Sequence, residues 1–133
     1  MSLKARAFDP EAGIEYTSDV ESLEYIAGNV KVVVACSLND LGNVNGIEVI
    51  FPKATGFRLL DELDLARYWL SNDFPRGCHV LKVDSGGWSD EENKLQGFET
   101  KRCEWLVVTG NACVSIFCES EPEIKNVTWK LEP

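Results

Sequence analysis

Cysteine-based nucleophilic chemistry in this chain would have to pass through one residue. His79 is the sole histidine in the sequence, and a thiol needs a nearby base to raise its thiolate fraction at neutral pH. Cys36, Cys78, Cys103, Cys113 and Cys118 are the candidate partners. Cys78 adjoins the histidine, but neighbours along a strand point to opposite faces, so the fold would have to deliver one of the other four. His79 shares its alternation with Leu81 and Val83, an apolar set that reads more simply as a structural histidine at the edge of a core. Carboxylates give no sharper candidate, since 22 Asp and Glu residues make any one pair unremarkable. One histidine and scattered cysteines without a Cys-x-x-Cys spacing offer no zinc-type ligand set. No metal and no cofactor is therefore expected.

The stretch that most resembles a binding site is Asp84-Ser85-Gly86-Gly87-Trp88-Ser89-Asp90-Glu91-Glu92. It leaves the end of a predicted strand, carries two glycines and runs into a predicted helix. Phosphate-binding loops share that geometry, but the P-loop pattern is missing and the flanking charges would repel phosphate. A calcium loop needs carboxylates on alternating positions with glycine at the sixth, which this spacing does not supply. What remains is an aromatic side chain, Trp88, flanked by Asp84, Asp90, Glu91 and Glu92, suited to a protein partner or a cationic ligand. The simpler alternative folds Trp88 back onto the core as an anchor for the loop. Arg58, in Gly56-Phe57-Arg58-Leu59-Leu60-Asp61-Glu62, has the chemistry to clamp a substrate carboxylate. More simply, it braces a strand–helix junction through Asp61 or Glu62.

Several elements must position these groups. Residues 103–118 read as a hairpin closed by Gly110-Asn111, with glycine supplying a positive φ at the first turn position. That register sets Thr109 against Ala112 and Cys103 against Cys118, close enough for a strained disulfide under oxidation, or for two buried thiols acting as small hydrophobes. It gives one uncharged face, Cys103, Trp105, Val107 and Thr109 with their partners, as the core face. A second hairpin is expected around Gly28-Asn29, with Leu23, Tyr25 and Ala27 opposite Val34, Val32 and Val30. Ser18 and Glu21 offer a competing capping box for a helix, but only the hairpin explains both the alternation and the turn. IEVIF (47–51) reads as an interior strand, and 55–60, 77–84 and 125–131 read as further strands. Asp61 is placed to cap a main helix over 62–71 with Leu63, Ala66, Trp69 and Leu70 on its buried side. Ser89 and Glu92 form a capping box for a short second helix over 90–96. The expected fold is α+β: a mostly antiparallel sheet of hairpins packed by one main helix. One domain should span 1–133, with the first eight or so residues given no weight.

Composition narrows the function classes. The chain is 133 residues long, 44% hydrophobic and 26% charged, ordinary for one packed domain. A net charge of −9 argues against nucleic-acid binding, which needs a basic face. The acidity falls on residues 1–30 and 81–133, while the middle is almost balanced. An odd cysteine count and no apolar leader suggest a reducing, cytoplasmic setting, and no run approaches the ~20 apolar residues of a membrane span. Three readings follow. The leading one is a non-catalytic protein-binding module for a basic partner, of which a toxin-neutralising, immunity-type protein is one version. The second is a small-ligand-binding domain with a sheet/helix pocket using Arg58, His79 and Trp88. The third is a small enzyme using His79 with a cysteine or a carboxylate. Oligomeric state is not legible.

Overall fold

The computed structural model describes residues 3–8, 18–61 and 78–131. Its elements run β1 (Lys4–Ala7), β2 (Asp19–Ile26), β3 (Asn29–Leu38), β4 (Asn43–Phe51), β5 (Gly56–Asp61), β6 (Val80–Ser85), α1 (Trp88–Gln96), β7 (Glu104–Val108), β8 (Ala112–Phe117) and β9 (Glu123–Lys130). The strands make two antiparallel sheets, β1-β6-β7-β8-β5 and β2-β3-β4-β9. The chain is broadly α+β and mostly antiparallel β. No helix among the described residues is long and apolar enough to cross a membrane.

Alternation explains the packing. Along β3, Val30, Val32 and Val34 point one way and are fully buried, while Lys31 and Val33 point the other. Ile47, Val49 and Phe51 continue that face on β4, and Val80, Trp105, Val107, Val114 and Ile116 meet it from the five-stranded sheet. The main core therefore lies between two sheets, as in a sandwich. The sequence reading has one sheet packed by a helix over 62–71. That helix falls outside the described residues, and the sheet-on-sheet core is the correction. The five-stranded sheet buries its other face too, around Leu60, Cys78, Leu81, Leu106, Val108 and Cys113. Nothing in the sequence marks the first residues as structural, yet Leu3 is buried and β1 pairs with β6.

Both expected hairpins form, with turns made differently. Glu104 to Val108 pair with Phe117 to Cys113 in the expected register, and Thr109 bonds Ala112 across the turn. Gly110 does not adopt a positive φ. The Thr109 hydroxyl instead accepts the backbone N–H groups of Asn111 and Ala112, at 3.2 and 2.9 Å, doing with a side chain what a special backbone angle would otherwise do. In the first hairpin the turn residues are Ala27 and Gly28, both at positive φ, so Leu23 meets Val32 and Tyr25 meets Val30. The pairing is two residues from the expected one. An even shift keeps every side chain on its predicted face. Ser18 does not start a helix; its buried hydroxyl accepts the Gly110 N–H and ties β2 to the β7–β8 turn. At the C-terminal strand, Ile124 faces the main core. The alternating Val127 and Trp129 lie opposite Gly46 and Val44 on the outer side, where the Trp129 ring crosses Gly46.

Candidate functional site

The loop singled out in the sequence folds into a self-contained unit, and its organiser is Glu104. The α1 N-cap is Gly87, whose side chain offers nothing to the exposed helix donors. Glu104, at the start of β7, supplies the missing acceptors. Its Oε2 accepts the Trp88 N–H at 3.0 Å and its Oε1 the Ser89 N–H at 2.8 Å. The negative carboxylate also suits the positive end of the helix dipole. Glu104 is only 2% exposed. Burial pushes its carboxyl above the ordinary range, the Ser89 and Trp88 amides and the Arg58 charge pull it back, and Glu91 adds to the rise. A Cβ at Gly87 would lie 2.6 and 2.9 Å from the two Glu104 oxygens, so glycine is required by this close approach. The expected capping box is replaced. Ser89 is capped through its backbone, and Glu92 accepts the Trp88 indole N–H at 3.1 Å.

The rest of the loop locks onto the five-stranded sheet. Trp88 stacks on Phe117 with centroids 4.0 Å apart, and the Arg58 guanidinium lies 5.1 Å from the Trp88 ring centre. Arg58 pairs with Glu91 at 3.0 Å, bracing α1 against β5. The sequence points it at Asp61 or Glu62, the latter outside the described residues. Asp90 accepts the Gly86 N–H at 2.6 Å, and Asp84 pairs with Arg6 of β1. The fold thus gathers Arg58, Trp88, Glu91 and Glu92 on one side of α1. Asp84 and Asp90 line a different feature, a cleft of about 300 Å³ between β6, the start of α1 and residues 99–102, with Glu104 among its walls.

His79 joins none of these. His79 lies just before β6 and carries its register on, opposite Val108, whose N–H donates to the His79 carbonyl. It is 1% exposed. Its Nδ1 lies 2.7 Å from the Val108 carbonyl oxygen and its Nε2 lies 3.7 Å from Cys36 Sγ. Of the four cysteines the sequence left open, Cys36 is the one brought to the imidazole. The five cysteines form no disulfide; Cys103 and Cys118 come opposite as expected, but their thiols turn to Glu119 and to the Pro52 and Ser120 carbonyls. Among the described residues no group of three or more His, Cys, Asp or Glu is arranged to hold a metal.

A surface missed by the sequence reading lies along one side of the sandwich. Tyr25 on β2 and Phe57 and Leu59 on β5 stand opposite buried Val30, Ile116 and Val114, so they point toward the space between the sheets. Yet β2 and β5 are edge strands, and the three side chains are 54%, 38% and 56% exposed. Tyr25 and Phe57 touch across the seam, with centroids 5.7 Å apart. Ile26, 66% exposed, follows Tyr25 on β2 and points to the other side of the sheet, beside Glu24, Lys31 and Ile50. Asp19, Glu21 and Glu24 lie along β2 and Asp61 ends β5, all exposed. Among the described residues, Lys31 pairs with Glu24 and Glu48, and Arg58 with Glu91. The alternation of 55–60 was the available signal; what it could not show is that the second sheet ends beside it. Comparison with family models, curated proteins and solved structures found no match.

Proposed function

We propose that the protein is a non-catalytic binding module for a protein partner with a basic surface, of which an immunity-type protein is one form. The observation that supports this is the exposed apolar seam of Tyr25, Phe57 and Leu59, with carboxylates on the two strands that flank it. Apolar patches rimmed by charge are how soluble domains meet other proteins. The rim favours a partner bearing Lys and Arg over a second copy of this chain, because two copies at −9 repel. The loop at 84–92 fits the same role as a rigid shoulder, since its carboxylates are held in internal bonds.

The test compares wild-type chain with a Phe57→Lys/Leu59→Lys variant as bait in extract of the source cells, at low and high salt. The expected result is a stoichiometric basic protein that the wild type retains, that salt weakens, and that the variant loses while staying folded. No such protein, or equal retention by the variant, overturns the reading.

A further inference from the structure

The five thiols sit in three kinds of surroundings. Cys78, Cys113 and Cys118 are buried, and Cys78 and Cys118 donate to backbone carbonyls. Cys103 is half-buried, but its Sγ lies 3.1 Å from a Glu119 carboxylate oxygen. That acceptor holds the thiol proton in place, and the carboxylate hydrogen bond followed by burial pushes the Cys103 pKa up. Cys36 is also half-buried; its Sγ lies 3.9 Å from the Val34 carbonyl oxygen and faces a base at 3.7 Å.

The geometry of that base is specific. A carbonyl oxygen can only accept, so the 2.7 Å contact with Val108 places the proton of a neutral His79 on Nδ1. Nε2 then carries the lone pair, and it is Nε2 that lies 3.7 Å from Cys36 Sγ. The backbone fixes the ring a second time, because the Val108 N–H donates to the His79 carbonyl at 2.7 Å. On the cysteine side, β3 pairs Ala35 with Gly46 and Ser37 with Asn45, leaving Cys36 as the extra residue of a bulge. Bulges re-aim a side chain out of strict alternation. Thiol, base and a group orienting the base are the three parts an activated cysteine needs.

We propose that Cys36 is the thiol-modification site of this protein, with His79 as its base and small aliphatic disulfides as the reactant class. In the exchange His79 Nε2 takes the proton from the Cys36 thiol while the sulfur attacks one sulfur of R–S–S–R. The bond from Cys36 to S–R forms and the original S–S bond breaks. The departing thiolate takes the proton back from His79 and leaves as R–SH. Cys36 is oxidised, one half of the disulfide is reduced, and His79 ends neutral.

The experiment incubates the full chain with 2-hydroxyethyl disulfide and follows each cysteine by intact mass and peptide mapping. In the native protein Cys36 should gain the first adduct at least about tenfold faster than Cys103, a conservative share of what general-base assistance supplies. In urea the two should react alike. His79→Gln should slow Cys36 by a similar factor and leave Cys103 unchanged, whereas Glu119→Gln should speed Cys103 and leave Cys36 alone. Equal native rates at Cys36 and Cys103 overturn the proposal, as does a folded His79→Gln protein with undiminished Cys36 reactivity. If His79→Gln does not fold, the native-to-urea change in the Cys36/Cys103 ratio decides: collapse toward unity in urea supports the site, and an unchanged ratio rejects it.

Discussion

Gly87→Ala is the sharpest probe of the α1 platform. The backbone there, φ −102° and ψ −151°, is open to alanine, so in an empty environment the change would stabilise by about 0.4–1 kcal/mol through the unfolded chain. The added Cβ instead falls 2.6 Å from Glu104 Oε2, 2.9 Å from Oε1 and 3.0 Å from Cδ. With the side chain 2% exposed, the carboxylate has no solvent-facing retreat. It must give up or stretch its bonds to Trp88 and Ser89, and a hydrogen bond to a charged group is worth about 1.5–3 kcal/mol. Losing the better part of one such bond, less the chain-entropy gain, leaves a net cost of about 1–2 kcal/mol. Urea unfolding at pH 8 reads it as a drop of about 0.5–1 M in midpoint with unchanged slope. In a Glu104→Ala background the clash is gone, and Gly87→Ala should turn stabilising by about 0.4–1 kcal/mol. The sign reversal is the test. A cost that is the same in both backgrounds, or a wild-type protein made more stable, refutes the idea that Glu104 dictates glycine at this position.

Three further outcomes follow from the same geometry. Ala27 holds φ 52° in the β2–β3 turn, so Ala27→Asn, which tolerates that region better, should raise stability by about 0.5–1 kcal/mol in thermal or urea unfolding. Thr109→Val removes the hydroxyl that accepts two turn amides and should cost about 1–2 kcal/mol, whereas Thr109→Ser should cost little. Glu104 has a raised pKa in the folded state, so that state holds its proton more tightly. Its contribution is most favourable below the ordinary carboxylate pKa, falls as pH rises through the folded pKa, and is level beyond it. Midpoints measured across that window should show Glu104→Gln gaining on wild type as pH rises, and a constant gap would contradict the burial argument.

Legibility in the sequence followed how local the determining physics was. The 103–118 hairpin could be read to the residue because alternation and a short turn fix register within a few positions. The second sheet face could not. Leu106, Val108 and Cys113 are apolar whether they meet a neighbouring sheet, a helix or nothing, and only tertiary packing decides. Glu104 does not stand out in the sequence because a charge on a strand ordinarily marks the solvent side. Its signal was nonetheless present, as the sole charge between Cys103 and Cys118, where an isolated carboxylate needs a buried reason. The meeting of Cys36 with His79, 43 residues apart, had no sequence signal, because a single-residue bulge aims the thiol. Asp19, Glu21 and Glu24 lie on β2, while Glu123 opens β9 at the opposite edge of the same sheet.

The two strands that flank the seam are unequal, and the inequality argues for where a partner would meet it. Exposed edges invite pairing, and proteins blunt them with bulges and charges. Strand β2 is blunted in both ways. It slips register between Val20 and Ser22, and it carries Asp19, Glu21 and Glu24. Strand β5 is regular through all six of its pairs with β8. Its one internal charge, Arg58, is drawn off to Glu91, and Phe57 and Leu59 alternate toward the seam half-uncovered. An added strand on β5 would set apolar residues against Phe57, Leu59 and Tyr25, and its alternate residues toward α1 and the Arg58–Glu91 pair. That pattern, apolar alternating with polar, is the signature the proposed partner strand would carry. It also separates the two edges experimentally: proline at position 59 of β5, whose N–H faces the free edge, should weaken capture of that partner far more than proline at position 25 of β2, whose N–H faces the other edge. The reverse order would move the docking edge to β2.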